Sequence, residues 1–282
     1  MTLANGVKLA SDHPSPLRRC AANLVASVTM LLRPARIHPR QSWLWPPRKL
    51  AIAVAIAVAV FVIGLVLIDA PAITYARTLP RWVQDFFDWI TDFGKSGWFL
   101  WPLGVLFAIL AALPRPAGIA QRVLAAMMVR IGYLFWAIAL PGIATNAIKH
   151  VIGRARPFVT GIADPYVFAP FTGTAAYASM PSGHSTTAFS VLVAFGILWP
   201  RARTVLLIYA LLICISRVVL TAHHPTDVLG GAVMGAVGAL LVARYFALRR
   251  LGFSLRPDGT LLAFPGPSFR RIKSVARALL AE

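Results

Sequence analysis

Three short polar segments interrupt an otherwise apolar part of this chain: KHVIGRARP at 149–157, PSGHS at 181–185 and SRVVLTAHHPTD at 216–227. Ionisable side chains beside membrane spans are costly, so residues of this kind are candidates for function. Together the polar segments supply three cations, two histidines and one carboxylate: Lys149, Arg156, Arg217, His184, His223 and Asp227. This combination is suited to holding a phosphate group and attacking it. A fold that serves this chemistry has to bring the three polar segments together.

The composition indicates an integral membrane protein. Of the 282 residues, 58% are hydrophobic and 13% are charged, whereas charged residues make up about 25% of a typical soluble domain. The formal net charge is +19, from 28 lysines and arginines against 9 acidic residues. No nucleic-acid-binding motif accompanies this excess, and the preference of cytoplasmic loops for lysine and arginine explains it better. We therefore expect no nucleic-acid partner.

The hydropathy pattern predicts an all-α, polytopic membrane protein with six transmembrane helices. A helix needs about 20 apolar residues to cross a bilayer. The predicted spans are 50–68, 97–113, 123–147, 184–199, 204–221 and 226–247. The first run begins too deep in the chain, and is too long, to be a cleavable signal peptide.

The chain divides into a basic, proline-containing arm (1–49), a membrane domain (50–247) and a basic tail (248–282). We expect the arm to be mostly flexible, with one short helix near 19–32. The tail contains FSLRPDGTLLAF at 253–264, which predicts a small hairpin, and then a basic amphipathic helix over 268–280. Both basic regions are expected to contact anionic headgroups.

The distribution of cations predicts the orientation. Six spans put both termini on one side, and the cations concentrate in the termini and in the links 114–122 and 200–203. The positive-inside rule therefore places both termini in the cytoplasm. The polar segments then lie at the periplasmic or extracellular face of the plasma (inner) membrane. Cys20 and Cys214 fall in the arm and in the fifth span, so we expect no disulfide and no cysteine metal site.

An amphipathic stretch lies within residues 69–96. Four aromatic residues fall on one helical stripe and three aspartates on a neighbouring stripe: Trp82, Phe86, Trp89 and Phe93, then Asp85, Asp88 and Asp92. Such a helix lies in the membrane interface. It is either a lip that guides a lipid substrate or a simple aromatic anchor, and the anchor is the commoner use of this pattern.

The first two polar segments offer groups that hold an anion. Arg156 lies in a predicted outer loop, where the positive-inside rule does not call for it, and its guanidinium can bind two phosphate oxygens. Lys149 is a second cation or an interfacial anchor, and Arg154 is a further ligand or merely solvated. Ser182 is a predicted N-cap, and Gly183 leaves its backbone N–H open to an anion at a helix N-terminus.

The histidines supply the chemistry. His184, in the first helical turn, can protonate a leaving oxygen, although a capped helix with an interfacial histidine is a common structural alternative. His223 and Asp227 are four residues apart, so the carboxylate can accept from Nδ1–H and leave Nε2 as a nucleophile. Arg217 is costly near a span unless it faces a wet cavity. His224 and His150 are given no catalytic role.

Three histidines and an aspartate also suit zinc. However, the three cations predicted at the same place repel a metal ion and attract a phosphate. We therefore expect no metal and no other cofactor.

The pattern Lys149-x6-Arg156-Pro157, then Pro181-Ser182-Gly183-His184, then Ser216-Arg217-x5-His223-x3-Asp227 resembles the signature of the type 2 phosphatidic acid phosphatases. The resemblance implies a six-helix membrane fold and metal-independent hydrolysis of a phosphate ester. It implies that His223 forms a phosphohistidine, that Asp227 orients it and that His184 protonates the leaving group. It also implies five groups that hold the phosphate oxygens: Lys149, Arg156, Arg217, Ser182 and Gly183.

Several functions remain open within this resemblance. The expected substrates are amphipathic lipid phosphates: polyprenyl diphosphate, phosphatidylglycerol phosphate, phosphatidate or lipid A. Vanadate-dependent haloperoxidases share related motifs, but they are soluble, unlike a chain with six apolar runs. A catalytically silent lipid-binding or scaffold protein of the same fold is expected to lose His184 or His223, and both are present. A transporter lacks support, since no inverted repeat is visible.

Overall fold

The structure, a computed structural model, describes residues 15–36, 46–114, 118–256 and 259–281. The rest of the predicted arm and the turn residues 257–258 of the predicted hairpin lie outside this part of the chain.

Within the described residues the chain is mostly helical. The helices are α1 Pro16–Leu32, α2 Pro47–Ile63, α3 Asp69–Ala76, α4 Arg81–Asp92, α5 Gly97–Ala112, α6 Ile119–Ile152, α7 Gly183–Leu198, α8 Arg203–Val219, α9 Pro225–Leu248 and α10 Phe269–Leu280. A π-helical turn, Gly64–Ile68, joins α2 to α3. Two short strands, β1 Phe253–Leu255 and β2 Leu261–Ala263, pair antiparallel.

Five helical stretches are long and apolar enough to cross a membrane: Pro47–Ala76, Arg81–Ala112, Ile119–Ile152, Pro200–Val219 and Pro225–Leu248. α7 is also apolar, but it has only 16 residues. A membrane protein with several spanning helices is therefore confirmed, while a count of six stays a prediction.

The ends of four helices place the polar segments at one end of the bundle. α6 and α8 finish there, and α7 and α9 begin there. Gly153 ends α6 in the left-handed conformation, with φ of 63°. A Cβ at Gly153 would lie 2.2 Å from the carbonyl oxygen of Ala169, so this tight turn into the outer loop requires glycine.

α7 lies at the centre of the bundle and packs closely against α9. A Cβ on Gly231 would lie 2.3 Å from the Ser182 carbonyl oxygen, and one on Gly235 would lie 2.2 Å from that of Thr186. The glycines therefore let the two backbones touch. This contact fixes the second polar segment against the third.

We expect Gly235→Ala to destabilise the protein by about 1–3 kcal/mol, because the added methyl overpacks the contact between α7 and α9. Gly142→Ala is the matched control, since a Cβ at this helical position meets nothing within 4 Å. Thermal unfolding in detergent measures the difference. Equal unfolding temperatures for the two variants would contradict the close packing described.

The helix predicted near 19–32 is confirmed as α1, but it is anchored and not free. The side-chain amide of Asn23 donates to the Ala111 carbonyl at 2.7 Å, at the end of α5. The Tyr245 hydroxyl of α9 donates to the Leu31 carbonyl at 2.8 Å. These hydrogen bonds fix α1 to the bundle, and flexibility of the rest of the arm stays a prediction.

The predicted hairpin strands and tail helix are both confirmed. Phe253 pairs with Ala263 in the two-stranded sheet. Val275 of α10 is buried in a cluster with Leu124 and Met128 of α6. α1 and α10 therefore lie against the bundle at the end opposite the polar segments.

Candidate active site

The three predicted cations lie close together at this end of the bundle. Lys149 belongs to the last turn of α6 and Arg217 to the last turn of α8, while Arg156 follows in the loop after α6. Their charges are near enough to act on one another and on His184 and His223. The structure therefore brings the cations and histidines of all three polar segments into one site.

The cations are arranged to receive an anion. The Nε atoms of Arg156 and Arg217 are buried without a hydrogen-bond partner in the described part of the chain. Across the same residues, no carboxylate oxygen lies within ion-pair distance of these arginines or of Lys149. The Lys149 ammonium lies beside the backbone of Gly183. Its Nζ is 3.7 Å from the position that a Cβ would occupy if residue 183 had a side chain. Buried donors without partners are costly, and a phosphate group would satisfy them.

A cavity of about 660 Å³ opens beside these groups. Lys149, Gly183 and His184 form its polar end, while Phe135 and Ile138 of α6 belong to its apolar wall. Such a lining fits a molecule that has both a charged group and a hydrocarbon part.

Ser182 occupies the predicted N-cap position of α7, but its side chain makes no capping hydrogen bond. Its hydroxyl accepts from Ser185 at 3.2 Å, and its backbone N–H donates to the Asp227 carbonyl at 2.9 Å. The side chain is fully buried. Ser182 therefore keeps a hydroxyl proton to donate and also ties α7 to α9.

The predicted direct hydrogen bond between His223 and Asp227 is absent. His223 Nδ1 lies 3.9 Å from Asp227 Oδ2. Ser179 lies between them, with its Oγ 3.4 Å from Nδ1 and donating to Oδ2 at 2.6 Å. Asp227 Oδ2 also accepts from the backbone N–H of His224 at 2.9 Å, as a capping residue of α9. This capping bond turns the carboxylate toward the helix start, so Ser179 links it to His223.

His223 is 3% exposed and lies between α8 and α9. Burial lowers the pKa of His223 to about 3, Asp227 opposes this change, and the charges of Arg217, Arg156 and Lys149 reinforce it. The imidazole is therefore neutral at pH 7 and has a free lone pair, as a nucleophile requires.

Arg154 is neither solvated nor a phosphate ligand, so both sequence interpretations are wrong. It is 1% exposed. Its Nη1 donates to Asp227 Oδ1 at 2.6 Å, its Nη2 to Asp69 Oδ2 at 2.7 Å and its Nε to the Pro165 carbonyl at 3.0 Å. Its own carbonyl accepts from Ser179 N–H at 3.0 Å. Arg154 therefore holds the two residues that face His223.

Asp69 was missed by the sequence interpretation. It is fully buried and accepts from Arg154, from the Thr226 hydroxyl and from the Thr226 N–H at 2.9 Å. It thereby ties the first apolar stretch to the start of α9. The available signal was a carboxylate directly after an apolar run, where a charge needs a partner.

The amphipathic stretch forms α4, and its end belongs to the site. Arg217 Nη1 donates to the Thr91 hydroxyl at 2.7 Å, and the Tyr209 hydroxyl of α8 donates to the Phe93 carbonyl at 2.9 Å. Trp82 and Trp89 remain 72% and 66% exposed. α4 thus positions a phosphate-binding candidate while its aromatic stripe stays available to the membrane.

We expect Thr91→Val to lower kcat/KM about tenfold, because a hydrogen bond to a charged group contributes about 1.5 kcal/mol and Arg217 would lose its fixed orientation. Thr74→Val, on the exposed surface of α3, is the matched control. Phosphate release from a lipid phosphate measures both variants. Unchanged kinetics in Thr91→Val would show that α4 does not position Arg217.

Comparison with known proteins finds that residues 130–251 match the PAP2 superfamily. The chain is 36% identical over 220 residues to lipid A 1-phosphatase of Rhizobium johnstonii, covering 77% of this chain and 89% of the relative. It is 35% identical to that of Rhizobium etli, over 77% and 94%. A putative undecaprenyl-diphosphatase of Escherichia coli, YbjG, is 35% identical over 106 residues, which are 37% of this chain and 50% of that protein.

Two crystal structures are also similar. Aquifex aeolicus LpxE superposes with a TM-score of 0.47 at 21% identity, covering 63% of this chain and 95% of that one. A phosphatidylglycerolphosphate phosphatase of PAP2 type from Bacillus subtilis gives a TM-score of 0.42 at 20% identity, over 80% and 95%.

The matched region contains all three polar segments, and the Rhizobium relatives are similar over nearly their whole length. This similarity confirms the resemblance drawn from the motifs. The chain belongs to the PAP2 superfamily of phosphatases.

Proposed function

We propose that this membrane protein hydrolyses a lipid phosphate through a phosphohistidine intermediate, without a metal ion. One observation carries the proposal: a neutral, buried His223 lies beside three cations that have no carboxylate partner in the described part of the chain. Such a site favours a phosphate dianion and supplies a nucleophile to attack it.

In the proposed reaction, His223 Nε2 attacks phosphorus, and the bond between phosphorus and the leaving oxygen breaks. His184, which is protonated once the bound phosphate dianion offsets the charges of the surrounding cations, gives its proton to that oxygen. Lys149, Arg156 and Arg217 hold the phosphoryl oxygens, with the Ser182 hydroxyl and the Gly183 N–H as further donors. Water then attacks the phosphohistidine, His184 takes a proton from it, and inorganic phosphate leaves with His223 restored.

Asp227 acts on His223 through Ser179 in this proposal. Ser179 donates to Asp227 and lies next to His223 Nδ1, so the carboxylate stabilises the imidazolium side of the reaction across the hydroxyl. Arg154 is a positioning residue, because it holds Asp227 by its side chain and Ser179 by its carbonyl.

The proposed location is the plasma (inner) membrane, with the active site at its periplasmic face. α7 is proposed as a sixth, short crossing beside the five longer apolar stretches. The basic α1 and α10 lie against the bundle at the end opposite the site, so the positive-inside rule places that end in the cytoplasm. Exposed cations of α10, such as Arg270 and Arg271, would face anionic headgroups there.

Lipid A carrying a 1-phosphate is the proposed first substrate. The support comes from the Rhizobium relatives, which bear that activity in their names and align over 89% and 94% of their length. The Escherichia coli relative suggests undecaprenyl diphosphate as a second candidate, over a shorter alignment.

We expect purified protein to release phosphate from lipid A and not to lose activity in EDTA. The assay compares lipid A, undecaprenyl diphosphate, phosphatidylglycerol phosphate and phosphatidate at equal surface concentration in detergent. Loss of activity on chelation, restored by one metal, would contradict a metal-independent site. Release from another lipid alone would reassign the substrate, and release from none would favour a silent binding protein.

A further inference from the structure

A second group of cations lies at the opposite end of the bundle from the active site, where α1 meets the end of α9. Arg33 Nη2 donates to the carbonyl of Arg249. The backbone N–H of Arg36 donates to the Leu248 carbonyl at 2.8 Å. We call Arg33, Arg36 and Arg249 the arginine cluster. The backbone contacts hold its members together although their charges repel.

The guanidinium groups of the arginine cluster have unused donors. The Arg249 guanidinium stacks on the Tyr245 ring at 3.5 Å, and its Nη1 donates to the Tyr245 carbonyl at 3.4 Å. Stacking leaves the remaining edge N–H groups available for an anion. The Nε atoms of Arg33 and Arg249 are buried, and they have no hydrogen-bond partner in the described part of the chain. Buried donors of this kind indicate a missing acceptor.

The described residues supply no counterion. Burial, and then the charges of Arg36 and Arg249, lower the pKa of Arg33 below its usual value. No ion pair involves the arginine cluster among these residues. All the aspartates that the structure describes belong to the half of the molecule that holds the active site: Asp69, Asp85, Asp88, Asp92, Asp164 and Asp227. Asp12, Asp258 and Glu282 lie outside the described residues.

An apolar groove adjoins the arginine cluster. It has a volume of about 430 Å³ and lies between the end of α1, the middle of α6 and the last turns of α9. Leu31, Trp136 and Leu140 belong to its wall, and Tyr245, on which Arg249 stacks, also lines it. A cationic site continuous with a hydrocarbon groove matches a molecule with an anionic head and an acyl chain.

We propose that the arginine cluster binds the phosphate group of an anionic phospholipid, whose acyl chain lies in the adjoining groove. The proposed orientation places this site in the cytoplasmic leaflet, but the binding does not depend on catalysis. Free inorganic phosphate offers the same oxygen atoms to the guanidinium groups. The groove favours the lipid, because free phosphate leaves it empty.

The test uses the full chain carrying His223→Ala, so that turnover plays no part. Native mass spectrometry counts the molecules retained by the protein in detergent with dioctanoyl phosphatidylglycerol, dioctanoyl phosphatidylcholine or inorganic phosphate. The variants are Arg33→Gln/Arg249→Gln and Arg36→Gln. Arg36 is exposed and bonds through its backbone N–H, so its replacement leaves the fold intact even where the double variant unfolds. Arg201→Gln is the matched control, an exposed arginine at the same end.

We expect phosphatidylglycerol to bind, and the double variant to weaken that binding at least about tenfold, with a smaller loss in Arg36→Gln. Binding at the active site is common to all variants and cancels in the comparison. Equal loss in Arg201→Gln would show diffuse surface charge and overturn the proposal. Phosphatidylcholine bound as tightly as phosphatidylglycerol would also overturn it. Inorganic phosphate bound as tightly, with the same dependence on the cluster, would overturn the lipid assignment.

Discussion

We expect His223→Ala to lower the turnover of lipid phosphate by at least about a thousandfold, the scale seen when an enzyme loses its nucleophile. In the proposed mechanism the other groups of the site hold the phosphate, position His223 or transfer protons, so none replaces the neutral imidazole that attacks phosphorus. In the described part of the chain, the side chain of His223 makes no hydrogen bond shorter than the 3.4 Å contact with Ser179. Its removal therefore leaves the fold largely unchanged. Phosphate release measures the loss, and thermal unfolding in detergent checks the fold.

His150→Ala provides the matched control for this variant. His150 lies in the last turn of α6 beside Lys149 but has no assigned role, so its replacement is expected to keep activity. A His223→Ala protein that is folded and still turns over at a comparable rate would remove His223 as the nucleophile. His184→Ala is expected to slow leaving-group departure and to lose less, since general acid catalysis contributes about 100- to 10,000-fold.

The second large effect is expected from Arg154→Met. The substitution leaves two fully buried carboxylates, Asp69 and Asp227, without their shared cation. Breaking a buried ion pair on one side costs about 3–5 kcal/mol. We therefore expect the free energy of unfolding to fall by about this amount and activity to fall with it.

Arg154→Lys separates the contribution of Arg154 to stability from its role in positioning Asp227 and Ser179. Lysine keeps the charge but has no fork to reach both carboxylates, so the variant is expected to fold with a lower kcat and a nearly unchanged KM. Arg81→Met, at an exposed position of α4, controls for the loss of one arginine. If Arg154→Met unfolds as the control does and keeps its activity, the buried ion network does not hold the site.

The apolar runs predicted the helices well because a membrane span is a local property of the sequence. α5, α8 and α9 begin and end close to the predicted bounds. The first helical stretch was predicted to end at 68 and continues to Ala76. It passes the buried Asp69, whose charge suggested the end of a span. The carboxylate is tolerated there because Arg154 neutralises it, and that partner lies 85 residues away.

The sequence predicts which residues belong to the candidate site, but it does not predict the contacts between them. Ionisable side chains beside membrane spans are energetically unfavourable unless they have a function. The sequence therefore indicates the cations and histidines of the site. The prediction of a direct hydrogen bond between His223 and Asp227 was wrong. Two residues that are four positions apart share one face only when the chain between them is helical. His224 has an extended backbone, with ψ of 153°, and it turns His223 away. Ser179 and Thr91 reach the site from distant segments, so spacing along the chain does not reveal them.

Trapping the covalent intermediate is the direct test of His223 as the nucleophile. The protein is mixed with lipid A labelled with ³²P at the 1-phosphate, quenched in alkali within the first turnover and separated from lipid. We expect protein-bound label that survives alkali, is lost in acid, maps to the peptide that contains His223 and is absent from His223→Ala. Turnover without labelled protein, or label on another residue, would rule out a phosphohistidine at His223.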